Sequence, residues 1–383
     1  MNRIIQNSLL QLGKATYQQL LRPIIYSRSA QQAHHDMLKI VASLDNQSLI
    51  QQALTLLHQS TFPQQPVTIG RVNLPHPLIL AAGFVKGMGF ESEAEALSAV
   101  RNGVNIIQGW RTMPSLVGAV EFGSYTRHPR MGNSGTVIWR DAETRSTQNR
   151  IGLKNPGAVA AAAFLYQRRD LLPVVFGINI APSPASDSLD ANKQDVSEAI
   201  SAFISRGVRP SWFTLNISCP NTEDDPSAHQ TTLEAYELSS IALETLQREG
   251  AGQIPLWVKI SPDLSAEQYQ ALVRTFSEVG VQAIISTNTL AQPTPENAEI
   301  VAGVGGGRLH PYTLTAIRQL KQAKDALNSP LDIIACGGIQ DPYSYHNALK
   351  QGAVGAQYLS ALIFDGPLAP ATILQEEHLY HEL

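Results

Sequence analysis

Cysteine is almost missing from this chain: 383 residues hold only Cys219 and Cys336. Two thiols cannot build a disulfide framework, so a reduced compartment is expected. Charge of one sign is missing too. Lys and Arg number 28 against 32 Asp and Glu, a net charge of −4, which provides no basic field for nucleic acid. No apolar run reaches the roughly 18–20 residues that cross a bilayer. The start lacks a secretory apolar core followed by a small-residue cleavage site, so a cytoplasmic protein is expected. Metal-binding side chains do not cluster: His34-His35 is an isolated pair on a predicted helix, and no metal site is expected. No Gly-x-Gly-x-x-Gly element opens a helix after a first strand, which leaves a dinucleotide-binding fold unsupported.

Glycine is nearly absent from residues 1–62, where Gly13 stands alone. Apolar residues there fall at helical spacing: Ile5, Leu9 and Leu12, then Met37, Ile40, Val41 and Leu44, then Ile50, Leu54 and Leu57. Arg3, Lys14, Arg22 and Arg28 flank the first stripe, and Pro23 with Ser27–Ser29 is expected to separate the first two helices. Two readings fit this extension. One is a helical cap on the main domain. The other is an amphipathic anchor whose apolar face dips into lipid, placing the protein on the inner face of the cell membrane.

What is present after Pro63 is alternation. Eight β-like runs recur: Leu78–Ala82, Val104–Ile107, Val174–Ile180, Trp212–Ile217, Leu256–Ile260, Ala283–Ser286, Asp332–Cys336 and Val354–Leu359. Helical periodicity lies between most of them. Strands rich in Val, Ile and Leu that alternate with helices imply parallel strands buried on both faces. Eight such units close into a (β/α)8 TIM barrel over residues 63–383, an α/β fold with an N-terminal helical extension over 1–62. A doubly wound open sheet is the runner-up. Val67–Leu74 is expected to form a small hairpin closing the barrel bottom. The link after the second strand, about Gly109 to Pro156, is long enough to be a lid or binding loop.

In a barrel of this kind the site lies at the C-terminal strand ends. Polar residues and glycines collect there: Ala82, Gly83 and Lys86 after the first strand, Asn179 at the third, and Asn216, Cys219 and Asn221 at the fourth. Lys259 ends the fifth, Thr287, Asn288 and Thr289 the sixth, Gly337-Gly338 the seventh and Ser360 the eighth. Singly, a lysine there reads as solvated and an asparagine as a turn former. Jointly they mark a site. The glycine clusters Gly303–Gly307 and Gly337-Gly338 suit an anion approached by backbone amides, and Ser360 adds a hydroxyl.

A cationic side chain inside a barrel mouth needs an anion. Lys259 fits the negative charge of a reduced flavin near N1 and O2, or else a Schiff base. Lys86 suits an anionic substrate. Asn149, Asn179, Asn216, Asn221 and Asn288 suit a flat ring of amide and carbonyl groups. Cys219, in a polar loop, reads as a base rather than an inert buried thiol. Cys336 ends an apolar strand and reads as core.

These residues fall in motifs. Ala-Ala-Gly-Phe-x-Lys at 81–86, Asn-Arg-Ile-Gly-Leu at 149–153, Gly-Ile-Asn-Ile at 177–180, Asn-Ile-Ser-Cys-Pro-Asn-Thr at 216–222, Val-Lys-Ile-Ser-Pro-Asp-Leu at 258–264, Thr-Asn-Thr at 287–289 and Gly-Gly-Ile at 337–339 together resemble the dihydroorotate dehydrogenases, FMN-dependent barrel enzymes of pyrimidine biosynthesis. The resemblance implies FMN contacts by Ala82, Gly83, Asn179, Asn216, Lys259, Thr287, Gly307, Gly338 and Ser360. It implies substrate contacts by Lys86, Asn149, Asn221, Asn288 and Thr289. Cys219 would take a proton from dihydroorotate C5 while hydride leaves C6 for flavin N5.

Arg22-Pro23-Ile24-Ile25-Tyr26 followed by Ala30–His34 is similar to the extension of the quinone-dependent, membrane-associated class. That implies a quinone acceptor and peripheral membrane contact. Four positions depart from the family pattern. The quinone class carries serine where Cys219 stands. Val85-Lys86-Gly87 replaces Asp-Lys-Asn. Gly109-Trp110-Arg111-Thr112-Met113-Pro114 stands where Gly-Thr/Ser-Val-Thr-Pro is expected, and Leu359 where a tyrosine is. A related flavin oxidoreductase acting on another unsaturated cyclic substrate, and a silent flavin-binding protein, are the alternatives.

Overall fold

The computed structural model describes residues 3–184, 188–217 and 232–377. Eight parallel strands close a barrel in chain order: β1 (Leu78–Leu80), β2 (Val120–Tyr125), β3 (Phe176–Ile180), β4 (Trp212–Asn216), β5 (Leu256–Ile260), β6 (Ala283–Ser286), β7 (Asp332–Cys336) and β8 (Gly355–Tyr358). Closure runs through Tyr358↔Leu80 between β8 and β1. The strands are buried on both faces, which is why they read as apolar runs rather than as alternation. Local sequence starts and stops the outer helices. Ser265 and Asp341 form capping boxes with Gln268 and Ser344, and left-handed Gly280 ends the helix Ala266–Val279. The hairpin Val67–Ile69/Val72–Leu74 plugs the barrel bottom. There the Trp257 indole donates to the Gly70 carbonyl, and the Gly70 N–H donates to Asp332.

The second strand corrects the expectation. Val104–Ile107 forms no strand: Ile106 and Ile107 are buried in a loop, while Val104 is exposed. The barrel position belongs to Val120–Tyr125, where Glu121 and Gly123-Ser124 interrupt the apolar pattern. The long connection therefore runs from Thr126 to Gly157. It carries the strands Ile138–Asp141 and Ser146–Asn149, which join Leu290–Pro293 and Val301–Gly306 in a four-stranded antiparallel sheet. The 303–307 glycines are thus mostly strand. A Cβ at Gly307 would stand 2.1 Å from the Thr144 carbonyl, so close strand approach accounts for that glycine.

Four N-terminal helices lie on the barrel: α1 (Arg3–Thr16), α2 (Arg22–Tyr26), α3 (Ala30–Leu44) and α4 (Ser48–Thr61). Pro23 does not separate helices. It sits in the first turn of α2, where a missing N–H costs little, after a π-helical turn at Tyr17–Leu21. The break comes at Ser27–Ser29, with Ser29 capping α3. The buried face of α1 is marked by Leu10, whereas Leu12 is exposed.

Asp45, fully buried at the end of α3, ties this layer down. It accepts from the backbone N–H groups of Gly109 (2.8 Å) and Thr112 (2.9 Å) and from Asn105 Nδ2 (2.8 Å). Asp45→Ala leaves those buried donors unmet, and an expected loss of roughly 3 kcal/mol follows. Urea unfolding measures it, and tryptic release of α1–α4 should accompany it. An unchanged midpoint and cleavage pattern would refute this role.

His58, Phe62 and His76 stack between α4 and the barrel, with Phe62 and His76 ring centres 5.0 Å apart. Burial pushes His76 down to about 4. An unfolded chain takes up this proton near pH 6.5, so between about 6.5 and 4 the unfolded state binds more protons. Stability present above pH 6.5 is therefore lost as the pH falls toward 4, by up to about 3 kcal/mol. Urea unfolding at several pH values should show a flatter dependence in His76→Phe; equal slopes would remove His76 as the cause.

Candidate active site

One cavity of about 750 Å³ joins the barrel mouth to the N-terminal helices. Its inner end is polar. Lys259, at the end of β5, is buried and donates from Nζ to Cys336 Sγ at 3.2 Å and to Gln357 Oε1 at 3.4 Å. Asn216, ending β4, links its neighbours: its Nδ2 donates to Ser124 Oγ (3.4 Å) and its Oδ1 accepts from Asn288 Nδ2 (3.2 Å). Asn288 is held in turn by its own N–H on the Ile260 carbonyl, and its Oδ1 receives the Thr289 N–H. Asn179 is fully buried at β3 and donates to Glu121 at 2.8 Å, while its Oδ1 has no partner among the described residues.

At one side lie Gly337, Gly338 and Ser360. Both glycines have positive φ, and a Cβ would meet Thr313 Oγ1 at 2.3 Å from Gly337 or the Gly306 carbonyl at 2.8 Å from Gly338. Only glycine lets the backbone itself form this wall.

The outer end is apolar, lined by Leu21, Ile24, Ala33, Met37 and Leu44 of the N-terminal helices. His34 enters this half with its ring edge-on to Phe84, and burial together with the Lys86 ammonium pushes it down to about 4. An imidazole so placed is neutral at physiological pH. Arg140 lies over the Tyr26 ring at 3.8 Å, at the side of the same passage.

A family model for dihydroorotate dehydrogenase matches residues 66–379. The chain belongs to the dihydroorotate dehydrogenase family. It is therefore an oxidoreductase by family. Among its relatives, a dihydroorotate dehydrogenase (quinone) of Thermosynechococcus vestitus is 29% identical over 371 residues, covering 92% of this chain and 93% of that protein. One from Natronomonas pharaonis is 27% identical over 356 residues, covering 91% and 90%. A crystal structure of the Eimeria tenella enzyme with ferulenol shares the fold, with a TM-score of 0.65 and 21% identity, covering 88% of this chain and 93% of that one.

Most residues singled out by the family motifs line this cavity. Ala82, Gly83, Lys86, Asn149, Asn179 and Asn216 do so, as do Lys259, Thr287, Asn288, Thr289, Gly338 and Ser360. Gly307 stands outside the lining, and Gly305 and Gly306 take that place. Cys219 and Asn221 lie outside the described residues. Trp110 points away, buried edge-on against Phe164. Leu359 and Tyr358 both face the cavity. Cys336 is buried, as a core residue would be, yet its thiol faces Lys259 in the site.

Ser124, Glu121 and Gln357 were not singled out from sequence. The signal for the first two was a charged residue and a Gly-Ser pair inside Val120–Tyr125, a composition that argues against a strand unless the barrel interior is polar.

Proposed function

We propose that the protein oxidises dihydroorotate to orotate with FMN at the barrel mouth, and passes the electrons to a quinone through the apolar half of the cavity. The observation that carries this reading is the continuity of the two halves: Lys259 and the asparagines at one end, the α1–α4 layer at the other.

The residues fit FMN. Asn179 Oδ1 is a buried acceptor without a partner among the described residues, and the oxidised isoalloxazine offers a ring N–H. The Gly337-Gly338 wall admits a phosphate close to backbone. The volume of about 750 Å³ lies within the range of small-molecule sites. Ala82, Gly83, Asn216, Thr287 and Ser360 would complete the cradle.

When bound, FMN supplies acceptance of a hydride from the substrate. Lys259 would hold the ring from its polar side, where a cationic group favours added electrons. Lys86 neutralises the substrate carboxylate, and Asn149, Asn288 and Thr289 orient its ring. Cys219 removes the C5 proton, so that hydride loss from C6 leaves the C5=C6 double bond. Neutral His34 and the apolar helix faces keep water from the acceptor end.

The test is direct. The protein should purify with FMN, dihydroorotate should bleach it and a soluble quinone analogue should restore the colour. Bound flavin that dihydroorotate fails to bleach would refute this reading. A second reading, another unsaturated cyclic substrate, draws on Gly87. At φ +100°, a Cβ there would stand 2.5 Å from the Ile106 carbonyl, so asparagine does not fit in this loop.

Residues 1–62 form the membrane-contact and acceptor region in this reading, with residues 63–383 as the catalytic barrel. Leu12, Leu20, Ile24 and Leu56 are each more than 60% exposed. No described helix is long and apolar enough to cross a membrane. Contact with the inner face of the cell membrane is then by one apolar face. Flotation with anionic liposomes should retain the full chain, and a chain lacking residues 1–62 should stay behind. A full chain that never floats would end the anchor reading.

A further inference from the structure

We infer that Glu121 is a positioning residue for the flavin reaction: it fixes the hydrogen-bond polarity of the site's floor. This rests on the flavin reading above. Glu121 lies on β2, fully buried in the barrel interior below the cavity. Its Oε1 accepts from Asn179 Nδ2 at 2.8 Å. Its Oε2 accepts from Trp212 Nε1 (3.0 Å), Thr214 Oγ1 (2.6 Å) and Gln357 Nε2 (2.9 Å). All four donors are neutral. One carboxylate thus gathers side chains from β3, β4 and β8.

An ionised carboxylate only accepts, whereas a carboxamide has a donor end and an acceptor end. Two of the four partners are carboxamides, and each must turn its NH2 toward Glu121. Reversal would set an amide oxygen against a carboxylate oxygen at hydrogen-bond distance in a buried site. The opposite end of each amide is then fixed as an acceptor. Gln357 presents Oε1 to Lys259 Nζ at 3.4 Å, and Asn179 presents Oδ1, unpartnered among the described residues, in the cavity wall. The carboxylate therefore decides, through one amide each, how Lys259 is held and which group meets a ring N–H of the cofactor. Trp212 and Thr214 use the same carboxylate but do not line the cavity, so they separate support of the barrel from control of the site.

Glu121→Gln keeps the shape and places an NH2 among donors. Among the described residues Oε1 has one partner and Oε2 three, so reversal of Asn179 is the simplest accommodation; it turns Nδ2 toward the cofactor. Fluorescence titration should show FMN affinity at least about tenfold weaker, with a shifted visible band of the bound flavin. Thr214→Val removes a donor from the same oxygen and should lower the melting temperature while leaving FMN affinity within about twofold and the band in place. Gln357→Met should reproduce the band shift through Lys259, and it carries the test alone if Glu121→Gln does not fold. The inference fails if Glu121→Gln binds FMN within about twofold with an unmoved band, if Thr214→Val weakens FMN as much, or if Gln357→Met leaves the band unmoved. FMN that does not bind the unaltered protein would overturn the flavin reading itself.

Discussion

Lys259→Ala is expected to weaken FMN binding between about tenfold and a hundredfold, because a buried charge-assisted hydrogen bond contributes roughly 1.5–3 kcal/mol. The loss goes beyond one contact. Gln357 Oε1 and Cys336 Sγ would both lose the donor they share. The midpoint potential of the bound flavin should also fall, since the positive charge facing the electron-rich ring is gone. Lys259→Arg keeps a positive charge, so it should recover part of the potential while leaving the affinity weakened. The guanidinium is a planar fork, bulkier than the ammonium, and Lys259 is buried beside Cys336 and Gln357. Fluorescence titration and spectroelectrochemistry read the two effects separately. FMN affinity within about twofold of the unaltered protein would remove Lys259 from the cofactor site.

Lys259 could be found from sequence because it ends a strand whose other residues, Leu256, Trp257, Val258 and Ile260, are all buried and apolar. A charge in such a place has few uses other than a site. The same logic picked out Asn179, Asn216 and Asn288, which line the same cavity. It failed at β2. There the barrel interior is polar, and a strand carrying Glu121 and Gly123-Ser124 does not look apolar. The nearby run Val104–Ile107 buries Ile106 and Ile107 against the core without any strand partner, so its hydrophobicity alone imitated a strand. With β2 misplaced, Ser124 and Glu121 went unnoticed. Gln357 was hidden differently: it lies within β8, where neighbours Ala356 and Tyr358 mark core, and its place in the site is seen only in its contacts with Glu121 and Lys259.

The glycines illustrate a second limit. Gly337-Gly338 and Gly303–Gly307 look alike in sequence, but the reasons for glycine differ. At 306, 337 and 338 positive φ and crowding demand it beside the cavity, whereas at 307 it lets the chain approach the Thr144 carbonyl. Composition records that a side chain is missing, not what would have collided with it. The N-terminal helices show the same thing at larger scale. Helical periodicity found them, yet the face that packs was set by what lies beneath, where Leu10 rather than Leu12 meets the barrel.

Cys219→Ala should leave FMN binding within about twofold and slow the bleaching of the flavin by dihydroorotate by about 10²–10⁴-fold, the usual contribution of a positioned base. Asn216, three positions earlier, lines the cavity, so the chain leaves β4 at the site before it reaches Cys219. A thiol ionises far nearer neutral pH than a hydroxyl does, which suits it to accept a proton. The bleaching rate should therefore rise with pH as the thiolate forms and then level off. Cys219→Ser separates the base from its neighbourhood. A hydroxyl keeps the size and polarity but ionises far higher, so this limb should disappear and the rate should drop unless another group takes the hydroxyl's proton. Retention of the limb in Cys219→Ser would assign it to a different group. Cys219→Ala that bleaches within about threefold of the unaltered protein would show that proton removal from C5 does not pass through this thiol.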